Sequence, residues 1–353
     1  MVRIAENQIL EGAIEALNRE TPLAIRVTDR EVPVGPYRAD AIVALGAEGM
    51  PYIAEVKGGV VQANLGALID QLGNLQNQHG AAKGILVADY INPKIAEHLK
   101  RLDVQFMDTA GNAYINAPGQ FVYIRGNKQR QEFTTKEKNR AFETTGLKVV
   151  YAFLREPDLV NRPYRQIAEM TGVANGTIGW VMNGLKEAGY LRDLGQGKGK
   201  RLVDLHGLFR RWVEAYPLKL QKKLDLGTWT AGNPTWWVDL EIEEFGAVWG
   251  GELAAEKLTH YLQPKEATVY LPKARLKEFA NGVRLRREAD TQYAEKGIVR
   301  LYEMFWTPEN TWTETTDPII TYADLTKTGD PRNLETAKLV YEKYIDRHLR
   351  EAA

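Results

Sequence analysis

The sequence predicts an α+β protein of several domains, and three observations carry that prediction. Helical and strand-like periods alternate over the first 125 residues, the middle is basic with short helices and a glycine-tipped hairpin, and the remainder mixes strand-like runs with a long final helix. At 353 residues the chain exceeds the length at which one core usually stops growing, so it divides.

The first domain, residues 1–125, opens on a helix in which Ile9, Leu10, Ala13, Ile14 and Leu17 recur at helical spacing. Strands follow at 22–27, 39–45 and 52–57, separated by turns bearing Gly and Pro. Leu65, Leu68, Ile69, Leu72 and Leu75 mark a second helix, "KGILVA" a buried strand, "NPKIAEHLKRL" a helix with an Asn cap and Pro at its first position, and "VQFMD" another strand. That order makes a mixed sheet with helices on its faces. Residues 126–143 are polar and without apolar period, and are expected to be a linker. Residues 144–222 hold three short helices and a hairpin, and 223–353 form a second α+β region whose role the sequence does not reveal.

Net charge is zero, with 46 basic and 46 acidic side chains, but from Gly126 to Arg211 there are 7 Lys and 9 Arg against 9 acids. A basic middle on a neutral chain suggests a module that meets phosphates. There is no cysteine, which excludes disulfides, thiolate zinc sites and cysteine nucleophiles and suits a reducing cytoplasm. No apolar run approaches the ~18 residues of a membrane span, and the N-terminus lacks a signal pattern, so a cytoplasmic protein without membrane partners is expected. The five histidines lack ligand spacing, and the tryptophans near Trp236 and Trp249 read as core.

Chemistry concentrates in "YRADAIVALGAEGMPYIAEVKGG", residues 37–59. Side chains alternate along a strand, so Glu55 and Lys57 share a face. If Asp40 starts the neighbouring strand of a hairpin, its carboxylate approaches that of Glu55, and two adjacent carboxylates repel unless a cation sits between them. Mg²⁺ held by Asp40 and Glu55 would polarise a phosphoryl oxygen and acidify a bound water, with Lys57 available to orient it. The pattern resembles the PD-(D/E)XK nuclease superfamily, with its restriction-endonuclease-like fold. That resemblance implies catalytic roles for Asp40, Glu55 and Lys57, with Gln71 in "DQL" on the following helix and Glu11 on the preceding one as further candidates.

A second signal lies in "RQIAEMTGVANGTIGWVMNGLKEAGYL", residues 165–191. Ile167 and Ala168 pack a first helix, Thr171-Gly172-Val173 makes a short turn, and Ile178, Val181, Met182 and Leu185 bury one face of a second helix. Asn175, Gly176 and Thr177 stand at its exposed start, the part that enters a major groove. The hairpin that follows carries Lys198, Lys200 and Arg201, suited to phosphate contact. Its glycines are not a phosphate-binding Walker loop, since Arg201 stands where Ser or Thr is needed. The segment resembles a winged helix, which implies double-stranded DNA as partner and a homodimer that reads paired half-sites.

Taken whole, the chain resembles the AbiEi antitoxins and transcriptional regulators of type IV toxin–antitoxin systems, on "VQFMDTAGNAYI", the winged helix, "WGGELAAEKLTHYLQPKEATVYLP" and "ADLTKTGDPRNLETAKLVYEKYI". The resemblance implies operator binding, repression of its own operon, and a cognate toxin of nucleotidyltransferase type. Here the winged helix is central rather than N-terminal. Two readings follow: a DNA-binding antitoxin-like regulator built on a nuclease-like fold, placed first, and as alternative a Mg²⁺-dependent DNA endonuclease acting through Asp40, Glu55 and Lys57.

Overall fold

Strand alternation in the first hundred residues decides how the first sheet is covered. The computed structural model describes residues 2–35, 37–46, 49–80, 83–129, 139–195, 199–233, 235–287, 297–307 and 312–351, without the side chains of residues 2–5. The fold is mixed α+β, and it divides into two compact units, Met1–Glu137 and Lys138–Ala353.

In the first unit the order is α1 (Val2–Glu20), β1 (Ile25–Val34), β2 (Tyr37–Leu45), β3 (Met50–Lys57), α2 (Gln62–His79), β4 (Lys83–Ala88), α3 (Pro93–Arg101), β5 (Gln105–Asp108), β6 (Ala113–Ala117) and β7 (Gln120–Ile124). The seven strands form one sheet in chain order. Pairs β3–β4 and β4–β5 are parallel, and the others antiparallel. Along β4, Ile85 and Val87 pack with Ile9, Leu10, Ala13 and Leu17 of α1, while Leu86 and Ala88 pack with Leu65, Leu68 and Leu72 of α2 and Ile95 and Leu99 of α3. Alternation therefore divides the apolar side chains between two faces, one under α1 and the other under α2 and α3. Helix α3 starts as its sequence requires, with Asn92 accepting from the N–H groups of Lys94 and Ile95 ahead of Pro93. The β6–β7 hairpin goes beyond the five strands expected from sequence, because Asn116 and Gln120 interrupt its short apolar runs.

Asp108 explains the "MDTAGN" turn between β5 and β6. Fully buried, it accepts from the N–H groups of Ile91, Ala110 and Asn112 at 2.8–2.9 Å and from the Asn112 side chain at 2.8 Å. Burial still raises its carboxyl above the usual range, against those hydrogen bonds.

The second unit begins with α4 (Thr144–Arg155), α5 (Tyr164–Thr171), α6 (Asn175–Glu187), β8 (Leu191–Asp193), β9 (Lys200–Leu202) and α7 (Leu205–Ala215). After a π-helical turn, Tyr216–Gln221, come α8 (Lys222–Leu224), β10 (Asp225–Ala231), β11 (Val248–Gly250), α9 (Gly251–Thr259), β12 (Ala267–Leu271), α10 (Leu276–Gly282), β13 (Arg286–Arg287), β14 (Gly297–Glu303), α11 (Pro318–Thr326), α12 (Pro331–Val340), a second π-helical turn, Tyr341–Ile345, and α13 (Asp346–Glu351). Strands β8 and β9 pair as an antiparallel hairpin, and the others make a five-stranded sheet in the order β11-β12-β14-β10-β13.

A polar hub ties the end of α7 to that sheet. Asp324 of α11 accepts from Tyr270 Oη at 2.9 Å, from Gln221 Nε2 at 2.6 Å and from the Gly251 N–H at 3.1 Å. Tyr216 lies 3.0 Å from Tyr270, and Lys327 donates to Gln221 and Tyr302. Burial holds both Tyr216 and Tyr270 well above the ordinary phenol range, so both stay neutral. The glycine pair of "WGGEL" has its reason here: a Cβ on Gly250 would come within 2.6 Å of the Tyr270 ring, and Gly251 adopts φ +52 to bring its N–H to Asp324. Beside it, buried Glu252 accepts from the Lys265 N–H at 2.6 Å and Asn333 at 3.0 Å. The C-terminal motifs of the antitoxin resemblance are thus largely a buried scaffold.

Candidate functional sites

The sequence-predicted residues fall into two groups, one in each unit. The first forms where β2 and β3 meet. Ala41 pairs with Ala54, and one residue further along, the Asp40 carboxylate accepts from the Val56 N–H at 2.6 Å. Asp40 therefore reaches the backbone beside Glu55. Glu55 projects toward α2, where Gln71 donates to its Oε1, and Lys57 Nζ lies 2.8 Å from the same oxygen. Four of the expected residues, Asp40, Glu55, Lys57 and Gln71, are in one corner.

Electrostatically the corner is tense. Burial raises the Asp40 carboxyl well above its ordinary value, the nearby Glu55 carboxylate adds to this, and Lys57 opposes it. Glu55 is only 3% exposed, and its Oε2 has no hydrogen-bond partner among the described residues. A buried carboxylate oxygen without a donor is costly, and a cation satisfies it as well as a hydrogen bond does. The donor set fits Mg²⁺, which takes one or two carboxylates and keeps several waters. Among the described residues no cluster of three or more His, Cys, Asp or Glu side chains could hold a metal.

Glu11 stands apart from this corner, exposed and paired with Arg30 at 2.9 Å. Glu6, which sequence reasoning missed, is the α1 acid whose charge reaches Asp40 and raises it further. It lies near the start of α1, where no apolar period yet fixed which way the helix faces.

The second group lines α6. Gly172, in the left-handed conformation, ends α5 and turns the chain so that α6 starts three residues later. Ile178, Val181, Met182 and Leu185 are buried, Asn175 and Gly176 are exposed, and Thr177 is half-buried. A Cβ on Gly176 would meet nothing within 4 Å, so packing does not require glycine there, although glycine costs a helix about 1 kcal/mol relative to alanine. The β8–β9 hairpin follows directly, with Arg192↔Arg201 and Asp193↔Lys200 in register. Asn161 holds the first residue of β9 beside the hairpin tip, accepting from the Lys200 N–H at 2.7 Å and donating to the Lys200 carbonyl at 2.9 Å. Lys200 is half-buried and Arg201 exposed. Lys198 falls outside the described residues.

Trp180 was not anticipated. It is 55% exposed on α6, next to the buried Val181 and Met182.

Comparison with known proteins adds one finding. Residues 201–346 match the family described as "Transcriptional regulator, AbiEi antitoxin, Type IV TA system". The match runs from inside the β8–β9 hairpin to the end of the second π-helical turn, less than half of the chain. No curated protein and no solved structure is significantly similar to the chain. Among the described residues, no helix is long and apolar enough to cross a membrane.

Proposed function

We propose that this protein is an antitoxin-like transcriptional regulator that binds duplex DNA through α6 and the β8–β9 hairpin, arranged as a winged helix. The observation that carries the reading is the regulator-family similarity beginning at Arg201, within the hairpin that follows α6. Helix α6 supports it, since its start combines hydrogen-bonding side chains, exposure and a glycine that packing does not require. Asn175 and Thr177 would meet base edges in the major groove, with Lys198, Lys200 and Arg201 on phosphates. A homodimer would set two α6 helices on half-sites about one helical turn apart. The family similarity implies a cognate toxin, and the reading assigns the protein to the cytoplasm, where operator DNA is.

The test is a mobility shift on DNA from upstream of the protein's own operon, with a scrambled duplex as competitor. Preferential retention of the upstream fragment is expected. Equal competition by the scrambled duplex would remove the regulator reading.

A second reading rests on the unpartnered Glu55 Oε2 beside Asp40. The first unit would then be a nuclease of restriction-endonuclease-like fold, with Mg²⁺ held by Asp40 and Glu55. When bound, that ion would supply electrophilic polarisation of a phosphoryl oxygen and an acidified water. Lys57, oriented by Glu55, would stabilise negative charge developing on the phosphate, and Gln71 would hold Glu55 in place. Plasmid nicking with Mg²⁺, abolished by Glu55→Gln while DNA binding persists, is the expected result of this reading. Intact plasmid under Mg²⁺ and Mn²⁺ alike would leave the first unit a scaffold.

A further inference from the structure

Two cations near α6 are held by aromatic rings rather than by acids. The Arg140 guanidinium lies 4.0 Å from the centroid of the Trp180 ring, and the Lys200 ammonium 5.4 Å from that of Tyr164. Both rings lie at α6: Trp180 is on the helix, and Tyr164, the first residue of α5, stands where a Cβ on Gly179 would touch it at 3.8 Å. Successive residues of a helix project about 100° apart, so the two pairs occupy neighbouring sectors of one stretch of α6.

Other cations of this unit also lie over rings, Arg211 at 4.1 Å from Phe142 and Arg155 at 5.7 Å from Tyr151, but some of them are paired with acids as well. Arg165 is paired with Glu169 at 3.1 Å and Arg155 with Asp317 at 3.1 Å, whereas no ion pair among the described residues involves Arg140 or Lys200. An acid cancels the charge it holds. A ring face attracts a cation through its quadrupole, leaves the charge intact, and restrains a long side chain that would otherwise lose rotamer freedom on binding. Trp180 is more than half exposed, which is unusual for so large an aromatic side chain. Asn161 adds a second restraint by gripping the Lys200 backbone on both sides.

We infer that Arg140–Trp180 and Lys200–Tyr164 are phosphate clamps that seat α6 on the sugar–phosphate backbone of duplex DNA. Arg140 and Lys200 make the contacts, and Trp180 and Tyr164 are positioning residues. This inference rests on the DNA-binding reading above and adds three residues to it, Arg140, Trp180 and Tyr164.

The experiment is fluorescence anisotropy of a labelled mixed-sequence duplex with the full chain, between about 50 and 200 mM salt. Arg140→Ala is expected to weaken binding several-fold and to reduce the slope of log K against log salt by roughly one unit, the signature of one lost phosphate contact. Trp180→Leu should reproduce part of that loss, add nothing in the Arg140→Ala background, and be rescued by Trp180→Phe. Lys200→Ala and Tyr164→Leu should behave as the second such pair. An unchanged salt slope in Arg140→Ala overturns the inference, as does a Trp180→Leu effect that simply adds to it. Dissociation of a dimer by Trp180→Leu in sedimentation, with the slope intact, would likewise overturn it and make the ring a contact between copies of this chain. Failure of the wild-type chain to bind any duplex would instead remove the parent reading.

Discussion

The carboxylate corner of the first unit and the α6 surface of the second treat polar side chains in opposite ways. In the corner, Glu55, Lys57 and Gln71 are buried or nearly so and satisfy one another, with Asp40 held on the Val56 N–H. On α6, Asn175 and Gly176 are exposed and Arg140 rests on an aromatic ring. A polar group that a fold requires finds a partner inside the fold, while a residue kept at some cost without one points to something outside it. By that rule α6 is the face on which the proposed partner would sit. The corner is mainly internal, except for the one Glu55 oxygen left without a donor.

The largest effect should come from breaking the corner. Glu55→Leu removes the carboxylate that Lys57 and Gln71 share, and should cost about 3 kcal/mol in urea unfolding. A loss below about 1 kcal/mol would mean that Lys57 reaches solvent once released, and the contrast with α6 would weaken. Asp40→Asn should act in the opposite direction. The folded state raises the Asp40 pKa, so it binds the proton more tightly than the unfolded chain. The stabilising contribution is present at low pH and is lost as pH rises through the folded value. Asparagine mimics the protonated form. The variant should therefore be more stable than wild type at pH 7, by about 1 kcal/mol as is common when a functional-site liability is removed, and no more stable near pH 3. A gain independent of pH would contradict the account of the corner. If Asp40 and Glu55 take Mg²⁺, the ion should raise the melting temperature of the wild type and leave that of Asp40→Asn unchanged. The smallest effect sharpens the other half of the comparison. Gly176→Ala should stabilise the helix by up to about 1 kcal/mol while weakening duplex binding, since the added methyl projects where the partner would approach. Equal binding by the variant would show that the glycine is incidental.

Much of this was legible in the sequence, because apolar periodicity and strand alternation are local. The helices of the first unit, five of its strands and the turn before α6 follow from residue spacing, and so do the company of Glu55 with Lys57 and the exposure of Asn175 and Gly176. What was not legible depends on distant partners. Asp108 and Asp324 look like surface acids in sequence, yet both are buried hubs whose donors lie 17 and 103 residues away for Ile91 and Gln221. Glu6 precedes the apolar residues that orient α1, and Glu11, one and a half turns later, faces Arg30 instead. Trp180 carried no signal of its own in the sequence, and only the packing of Arg140 against its ring reveals an exposed cation–aromatic pair.

The account stands on α6 being the surface that reads duplex DNA. Its most direct measurement compares the affinity for the protein's own upstream DNA with that for a scrambled duplex at about 0.15 M salt, in the wild type and in a variant carrying Asn175→Ala and Thr177→Ala. The wild type should prefer its own site by at least about a thousandfold. The variant should lose about tenfold or more of that preference at an unchanged salt slope, because base contacts carry sequence information and phosphate contacts carry the salt dependence. Equal affinity of the wild type for both duplexes, or a variant with undiminished preference, would contradict the claim.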